Sequence, residues 1–219
     1  MGQLFQPSSN TIARVSIFGF IGLITFAGWT LYAVYWSPYT TRQNAPIEQP
    51  VMFSHEHHVN MLGIDCRYCH TSVEKSAFAG IPETEICMTC HSQLFTGEPM
   101  LALVRQSLAE NKPMQWRRVN DLPDFVYFNH SIHVAKGIGC AECHGRVDKM
   151  PLTEQAHPLY MKWCLECHNA PEKSIRPREK VFEMDWQRGT NDTAQAVELL
   201  KKYHVMSPAK LTDCSICHR

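Results

Sequence analysis

Phe53-Ser54-His55-Glu56-His57-His58-Val59-Asn60-Met61-Leu62-Gly63-Ile64-Asp65-Cys66-Arg67-Tyr68-Cys69-His70 holds two spaced histidines and then a Cys-x-x-Cys-His motif. That motif recurs at Cys87-Met-Thr-Cys90-His91, Cys140-Ala-Glu-Cys143-His144, Cys164-Leu-Glu-Cys167-His168 and Cys214-Ser-Ile-Cys217-His218, which uses all 10 cysteines of the chain. Each copy reads as a c-type haem attachment signature. Two thiols at i and i+3 can bond to the two vinyl groups of one haem, and the adjacent histidine then sits under the iron as its proximal ligand. Two other chemistries use paired cysteines. The gaps from Cys69 to Cys87 and from Cys143 to Cys164 both fit the spacing of a zinc ribbon. Five pairs, however, leave one without a partner, and a histidine follows every pair although His is only 12 of 219 residues. Redox pairs of the thioredoxin kind fail on the same count. Five covalently bound haem c groups are therefore expected.

The lead-in to the first motif is duplicated. Phe53-Ser-His55-Glu-His-His58-Val59 returns as Phe128-Asn-His130-Ser-Ile-His133-Val134. Gly63-Ile64-Asp-Cys66 returns as Gly137-Ile138-Gly-Cys140, with the offset shortened by one. The chain thus holds two units of one plan, about 51–92 and 126–169, each with two spare histidines for two haems. A partial third unit, about 191–219, carries His204, which precedes Cys214 by the interval that separates His130 from Cys140. His55, His58, His130, His133 and His204 are the expected distal ligands opposite His70, His91, His144, His168 and His218. Met also serves as an axial ligand, and Met150, Met161 and Met206 lie nearest a motif. His57 and His157 have no partner in the repeat.

Residues 51–219 give about 34 residues per haem, too few for an ordinary side-chain core around each one. The expected fold is one N-terminal transmembrane helix plus a mainly irregular and α multihaem cytochrome c domain, with little β-sheet and a haem-packed core. Pro99 to Leu108 has helical spacing and is expected to pack on a haem face. Thr193 to Tyr203 reads as a helix capped by Asn191 or Asp192 that delivers His204 from its last turn. Ser174 to Arg188 interleaves charges with Val181, Phe182, Met184 and Trp186, and reads equally as a solvated loop or a partner-binding arm.

Val15 to Trp36 is an unbroken run without a charge. As a helix it measures ~33 Å, enough for a hydrocarbon core of ~30 Å. Trp29, Tyr32, Tyr35 and Trp36 gather at one end as an interfacial belt would, and Pro38 is expected to stop the helix. A cleaved signal peptide has a shorter apolar core and small residues at its end, so an uncleaved anchor is expected. Haem attachment to such motifs occurs outside the cytoplasm. The expected organisation is a cytoplasmic N-terminus over 1–14, a transmembrane helix over 15–36, a linker over 37–50 and a periplasmic pentahaem domain over 51–219. The bacterial inner membrane is the expected location. Acidic and basic residues balance at 21 each, and no Lys/Arg excess points to nucleic acid.

Phe-x-His-x-x-His ahead of Cys-x-x-Cys-His resembles the class III multihaem cytochromes c, in which the first His binds the next haem and the second reaches a different one. Five motifs behind one helix are similar to the pentahaem subunit of alternative complex III, a quinol-oxidising membrane complex. The similarity takes in Phe5 to Asn10, Trp116 to Phe125, and Ile175-Arg-Pro177 with Val181-Phe182. The same stretch before the second unit also occurs beside molybdopterin-type iron–sulfur oxidoreductases. The resemblance implies an iron–sulfur subunit, polytopic quinol-binding membrane subunits and a monohaem cytochrome c as partners. The leading expectation is an electron-transfer subunit with no catalytic residues of its own. A multihaem reductase of a small nitrogen or sulfur compound would need a five-coordinate haem with acid/base groups above it. An autonomous membrane quinol dehydrogenase should hold its first haem against the membrane, yet the whole linker and the first histidine arm separate Trp36 from Cys66.

Overall fold

The computed structural model describes residues 5–189 and 192–218, which form two compact units, one up to Gln43 and one from Asn44 onward. In the first unit, α1 runs from Ser8 to Tyr35, begins well before the uncharged run, and buries none of its residues. At 28 residues it is long and apolar enough to cross a membrane. Thr25 Oγ1 donates to the carbonyls of Ile21 (3.0 Å) and Gly22 (2.9 Å), and Thr30 Oγ1 to that of Phe26 (2.9 Å). These hydroxyls are satisfied within their own helix, as an apolar surrounding demands. Pro38 does more than follow the end of α1. It occupies the first turn of a short helix, α2 (Pro38–Thr41), where its missing N–H costs nothing.

In the second unit the expected linker is tied down from Asn44. Asn44 N donates to the Gln155 carbonyl (2.8 Å), and the Gln49 carboxamide exchanges two 2.9 Å hydrogen bonds with the main chain of Arg117.

The motifs build the local structure. α3 (Cys66–Cys69), α7 (Cys140–His144) and α11 (Cys214–Cys217) each begin on a first cysteine. Asp65 and Asp213 cap α3 and α11 by accepting from Arg67 N (2.8 Å) and Ser215 N (2.9 Å). α4 (Thr84–His91) and α8 (Met161–Asn169) are longer and carry their motifs in the C-terminal half. One helical turn places i and i+3 on one face, so both thiols of each pair point the same way.

The lead-ins match except in one respect. His130–Ala135 forms an ordinary helix, α6, whereas Glu56–Met61 is a π-helical turn. The first unit has one more residue between its second histidine and its glycine, which is the source of the shortened offset. A single added residue inside a helix widens one turn.

α5 (Ala102–Glu110) follows a 3₁₀ turn at Pro99–Leu101 and buries Val104 and Ser107. It packs on α4, where Thr84 Oγ1 donates to Ser107 Oγ (2.7 Å), which in turn donates to the Lys112 carbonyl (2.6 Å). α9 (Asp192–Lys202) matches the expected last helix, and the cap position at Asn191 lies outside the described residues. It ends at Lys202, so His204 sits beyond the last turn, at φ 51°. α10 (Pro208–Leu211) then leads to α11.

Among the described residues there is no sheet, and Ile138 and Ile175 form an isolated antiparallel bridge. The apolar side-chain cluster is small: Ile175, Ala196, Leu199 and Tyr203, with Ile138, Leu200 and Val205 packed on it. The fold is thus helical and irregular, as expected.

Ser174 to Arg188 is neither a solvated loop nor a free arm. Arg176, Ile175 and Val181 are the most fully buried large side chains described. Arg176 N donates to the Gly137 carbonyl (2.8 Å) and Cys140 N to that of Val181 (3.1 Å), so the segment straps the approach to the third motif. The Arg176 guanidinium donates to Glu142 Oε1 (2.6 Å) and the Glu183 carbonyl (3.1 Å) and lies over the Trp186 ring (4.6 Å). Burying a guanidinium requires such partners. The interleaving of charged and apolar residues gave no sign of this.

Candidate functional site

Each lead-in phenylalanine organises two histidines. Phe53 stacks on His58 (4.4 Å, 23°) and meets His55 edge-on (4.9 Å). Phe128 does the same with His133 (4.6 Å, 24°) and His130 (4.7 Å). In both units the second histidine Nδ1 bonds the carbonyl four residues back, His58 to Ser54 (2.8 Å) and His133 to Asn129 (2.7 Å).

The first histidines are held from the other unit. His130 Nδ1 bonds the Ala77 carbonyl (2.8 Å), while His55 Nδ1 bonds Thr153 Oγ1 (2.9 Å). The main chain is exchanged in the same sense: Ser131 N donates to the Ser76 carbonyl (3.1 Å) and Glu56 N to the Met150 carbonyl (3.2 Å). These are equivalent positions of the repeat. Each repeat unit therefore braces the histidine arm of the other, a reciprocity that no local sequence signal carries because most of the acceptors are carbonyls.

The motif histidines are anchored likewise. His70, His91, His168 and His218 Nδ1 bond the carbonyls of Gly80 (2.6 Å), Leu94 (3.3 Å), Leu211 (2.9 Å) and Phe125 (3.1 Å). His144 Nδ1 lies 3.0 Å from Asn120 Nδ2. Nine of the ten expected ligands thus have Nδ1 engaged, and in the seven held by main-chain carbonyls Nδ1 carries the proton and Nε2 remains to bind a metal. This is how a histidine ligand is normally oriented.

Three pairs of rings lie at one separation: His58 and His91 at 6.2 Å with their planes at 63°, His130 and His144 at 6.3 Å and 4°, and His133 and His168 at 6.3 Å and 25°. A metal–imidazole bond is about 2 Å and the nitrogen lies roughly 1.1 Å from its ring centre, so two imidazoles on one metal stand roughly 6.3 Å apart. The first histidine of the second unit faces the next motif and the second faces the following one. His55 has His70 as an electrostatic neighbour. His204 and His218 do not meet ring to ring among the described residues. His204 is exposed, and His218 packs on Phe125 (5.8 Å). His157 stacks on Trp163 (5.0 Å) and His57 meets His58 edge-on (5.4 Å). Met161 and Met206 are exposed.

Burial disfavours charge on four of these histidines. It pushes His55 and His144 down to about 4, aided by neighbouring histidines, and lowers His130 and His133 against the pull of their carbonyl partners. Neutral imidazole is the form that binds a metal. None of the ten cysteines is in a disulfide. Burial raises Cys66, Cys69, Cys87, Cys164, Cys167 and Cys217 and pushes Cys140 and Cys143 up to about 12. Among the described residues no three His, Cys, Asp or Glu side chains converge to hold a bare ion. Paired neutral thiols beside oriented imidazoles fit haem c instead.

The chain is similar to the multiheme cytochrome c subunit of a menaquinone reductase from Nitratidesulfovibrio vulgaris, with 39% identity over 98 residues. The match covers 44% of this chain and 46% of that subunit, so the chain spans about half the length of the curated relative it matches. The family described as cytochrome c7 and related cytochrome c matches residues 51–106 and 126–219. With both repeat units and the last motif inside those limits, the chain belongs to the family of cytochrome c7 and related cytochromes c, whose haem is covalently bound.

Proposed function

We propose that this chain is the pentahaem electron-transfer subunit of a quinone-linked membrane complex of the alternative complex III kind. In this reading residues 15–36 are its single transmembrane span and the domain from about residue 51 lies in the periplasm. The observation that carries the reading is the set of imidazole pairs at 6.2 Å and 6.3 Å with Nδ1 already engaged. Cys66 and Cys69, Cys87 and Cys90, Cys140 and Cys143, Cys164 and Cys167, and Cys214 and Cys217 would hold five haems. His70, His91, His144, His168 and His218 would be the proximal ligands, and His55, His58, His130, His133 and His204 the distal ones. Haem iron held by two imidazoles exchanges one electron and keeps no open position for a substrate. The chain's own residues disfavour charge on His55, His130, His133 and His144 by burial, fix nine rings through Nδ1 and would fill the position where reductase chemistry would start.

Helix α1 supports dependence on partners. It has no charged residue from Val15 to Trp36, and the hydroxyls of Thr25 and Thr30 are engaged by its own carbonyls. Over residues 17–28 this leaves no free side-chain hydrogen-bonding group of the kind a quinol site needs. Gly19, Gly22 and Gly28 have open space around them and give small surfaces for neighbouring helices. Polytopic subunits would then hold the quinol, an iron–sulfur subunit would adjoin the haem domain, and a monohaem cytochrome c would be the acceptor.

A second reading is favoured by the relative, whose name is that of a menaquinone reductase: electrons would run through the same haems toward the quinone. Expression of the haem-loaded subunit alone in membranes, then with its partner subunits, tests both. Haem reduction by a menaquinol analogue only with partners present, followed by oxidation by cytochrome c, is the expected result. Inhibitor-sensitive reduction of the lone subunit would overturn partner dependence, and net reduction of menaquinone by the pre-reduced complex would favour the second reading.

A further inference from the structure

Seven of the nine engaged histidines bond main-chain carbonyls, and only His55 and His144 are held by side chains. His144 lies where the histidines crowd: burial lowers it first, and His130, His70, His55 and His157 all act on it. Asn120 stands half-buried between the two stretches matched by the family, at a position outside both.

The carboxamide orientation carries a conflict. With Nδ2 donating to His144 Nδ1, the ring proton sits on Nε2 and leaves no lone pair there for iron. Asn120 Oδ1 meanwhile is one of two buried side-chain polar atoms among the described residues without a partner, the other being Arg176 Nε. Oxygen and nitrogen of a carboxamide are told apart only by their hydrogen bonds. Turned by half a rotation, Oδ1 accepts the Nδ1 proton at the same place and frees Nε2, while Nδ2 takes over the position that has no partner. The imidazole decides between the two orientations: only with Oδ1 toward Nδ1–H can His144 bind iron through Nε2.

We propose that Asn120 is a positioning residue for His144: its Oδ1 accepts from Nδ1–H, fixes the metal-binding tautomer and sets the donor strength of that imidazole. The proposal rests on the reading of His144 as a haem ligand. A stronger acceptor on Nδ1 makes Nε2 more basic and stabilises the oxidised iron, and loss of the acceptor does the reverse. A backbone carbonyl offers no such adjustment by mutation, so this haem is the one whose potential the chain can set by a side chain on its motif histidine.

The test is a redox titration of the full haem-loaded chain, with low-spin electron paramagnetic resonance signals recorded in parallel. Asn120→Leu should move one midpoint potential upward and Asn120→Asp, which is isosteric and a stronger acceptor, should move the same midpoint downward. All haems should stay low-spin. If Asn120→Leu fails to take up haem, the aspartate variant alone decides: a downward shift of one midpoint supports the proposal. Unchanged midpoints in Asn120→Asp, or shifts of equal size and sign in both variants, would overturn it. A His144→Ala variant that leaves all haems low-spin would instead overturn the ligand reading on which the proposal stands.

Discussion

His130 shows how much one side chain is asked to do. Its ring faces His144 at 6.3 Å, its Nδ1 is fixed by Ala77 and its flank packs on Phe128. Removal by His130→Ala is expected to turn one haem high-spin or recruit a substitute ligand, as read from the absorption spectrum, and to leave the others unchanged. The buried imidazoles also bear on pH. Burial, aided by neighbouring histidines, lowers His55 and His144 to about 4 from an ordinary value of 6.5, and ligation to iron would hold their Nε2 against protons further. The low-spin absorption spectrum of the loaded chain should therefore persist as the pH falls through 6.5 toward 4; ligand loss already near pH 6.5 would contradict the burial of these rings.

Among the elements, Gly63 and Gly137 occupy equivalent places after the two distal arms, both left-handed at φ 68° and 78°. Their surroundings differ. A Cβ at Gly63 meets open space, whereas one at Gly137 runs into the Arg176 carbonyl and the Tyr203 ring. Gly63→Ala should cost only the backbone penalty of about 1 kcal/mol, and Gly137→Ala a further ~1–3 kcal/mol for overpacking. Denaturant unfolding of the two variants side by side checks the asymmetry. It arises because the strap from Ser174 and the end of α9 close on the second unit, where Lys136 Nζ donates to the carbonyls of Tyr203 (2.7 Å) and His204 (3.0 Å).

The molecule as a whole divides between Gln43 and Asn44. A chain starting at Asn44, exported and loaded with haem, should appear in the soluble fraction with its low-spin spectrum intact; retention in the membrane would argue against α1 as the anchor. Charge gives a second expectation at this scale. Residues 51–219 carry 19 basic and 20 acidic side chains, since Arg14, Arg42 and Glu48 lie outside, burial disfavours charge on His55, His130, His133 and His144, and five haems would bring ten propionates. The loaded domain should be acidic, and electron transfer to a soluble basic cytochrome should slow as salt shortens the screening length to ~8–10 Å. Rates independent of salt would mean that no such mobile partner docks there.

What is covalent and periodic was legible in the order of residues: the five motifs, the duplicated Phe-x-His-x-x-His arms, the apolar helix and the lack of sheet. Those features are local, because a three-residue spacing in a helical turn or an uncharged run needs no distant partner to be read. Even the one-residue change of offset was visible, although only the fold revealed it as the π-helical turn at Glu56–Met61. Other features emerged only with the folded chain: which rings meet, the bracing of each unit's first histidine by the other, the burial of Ser174 to Arg188 and the place of His204 beyond α9. Each of these depends on main-chain carbonyls and on packing between residues far apart in the chain. A carbonyl is the same at every residue, so its choice of partner is written in the fold and not in the side chains.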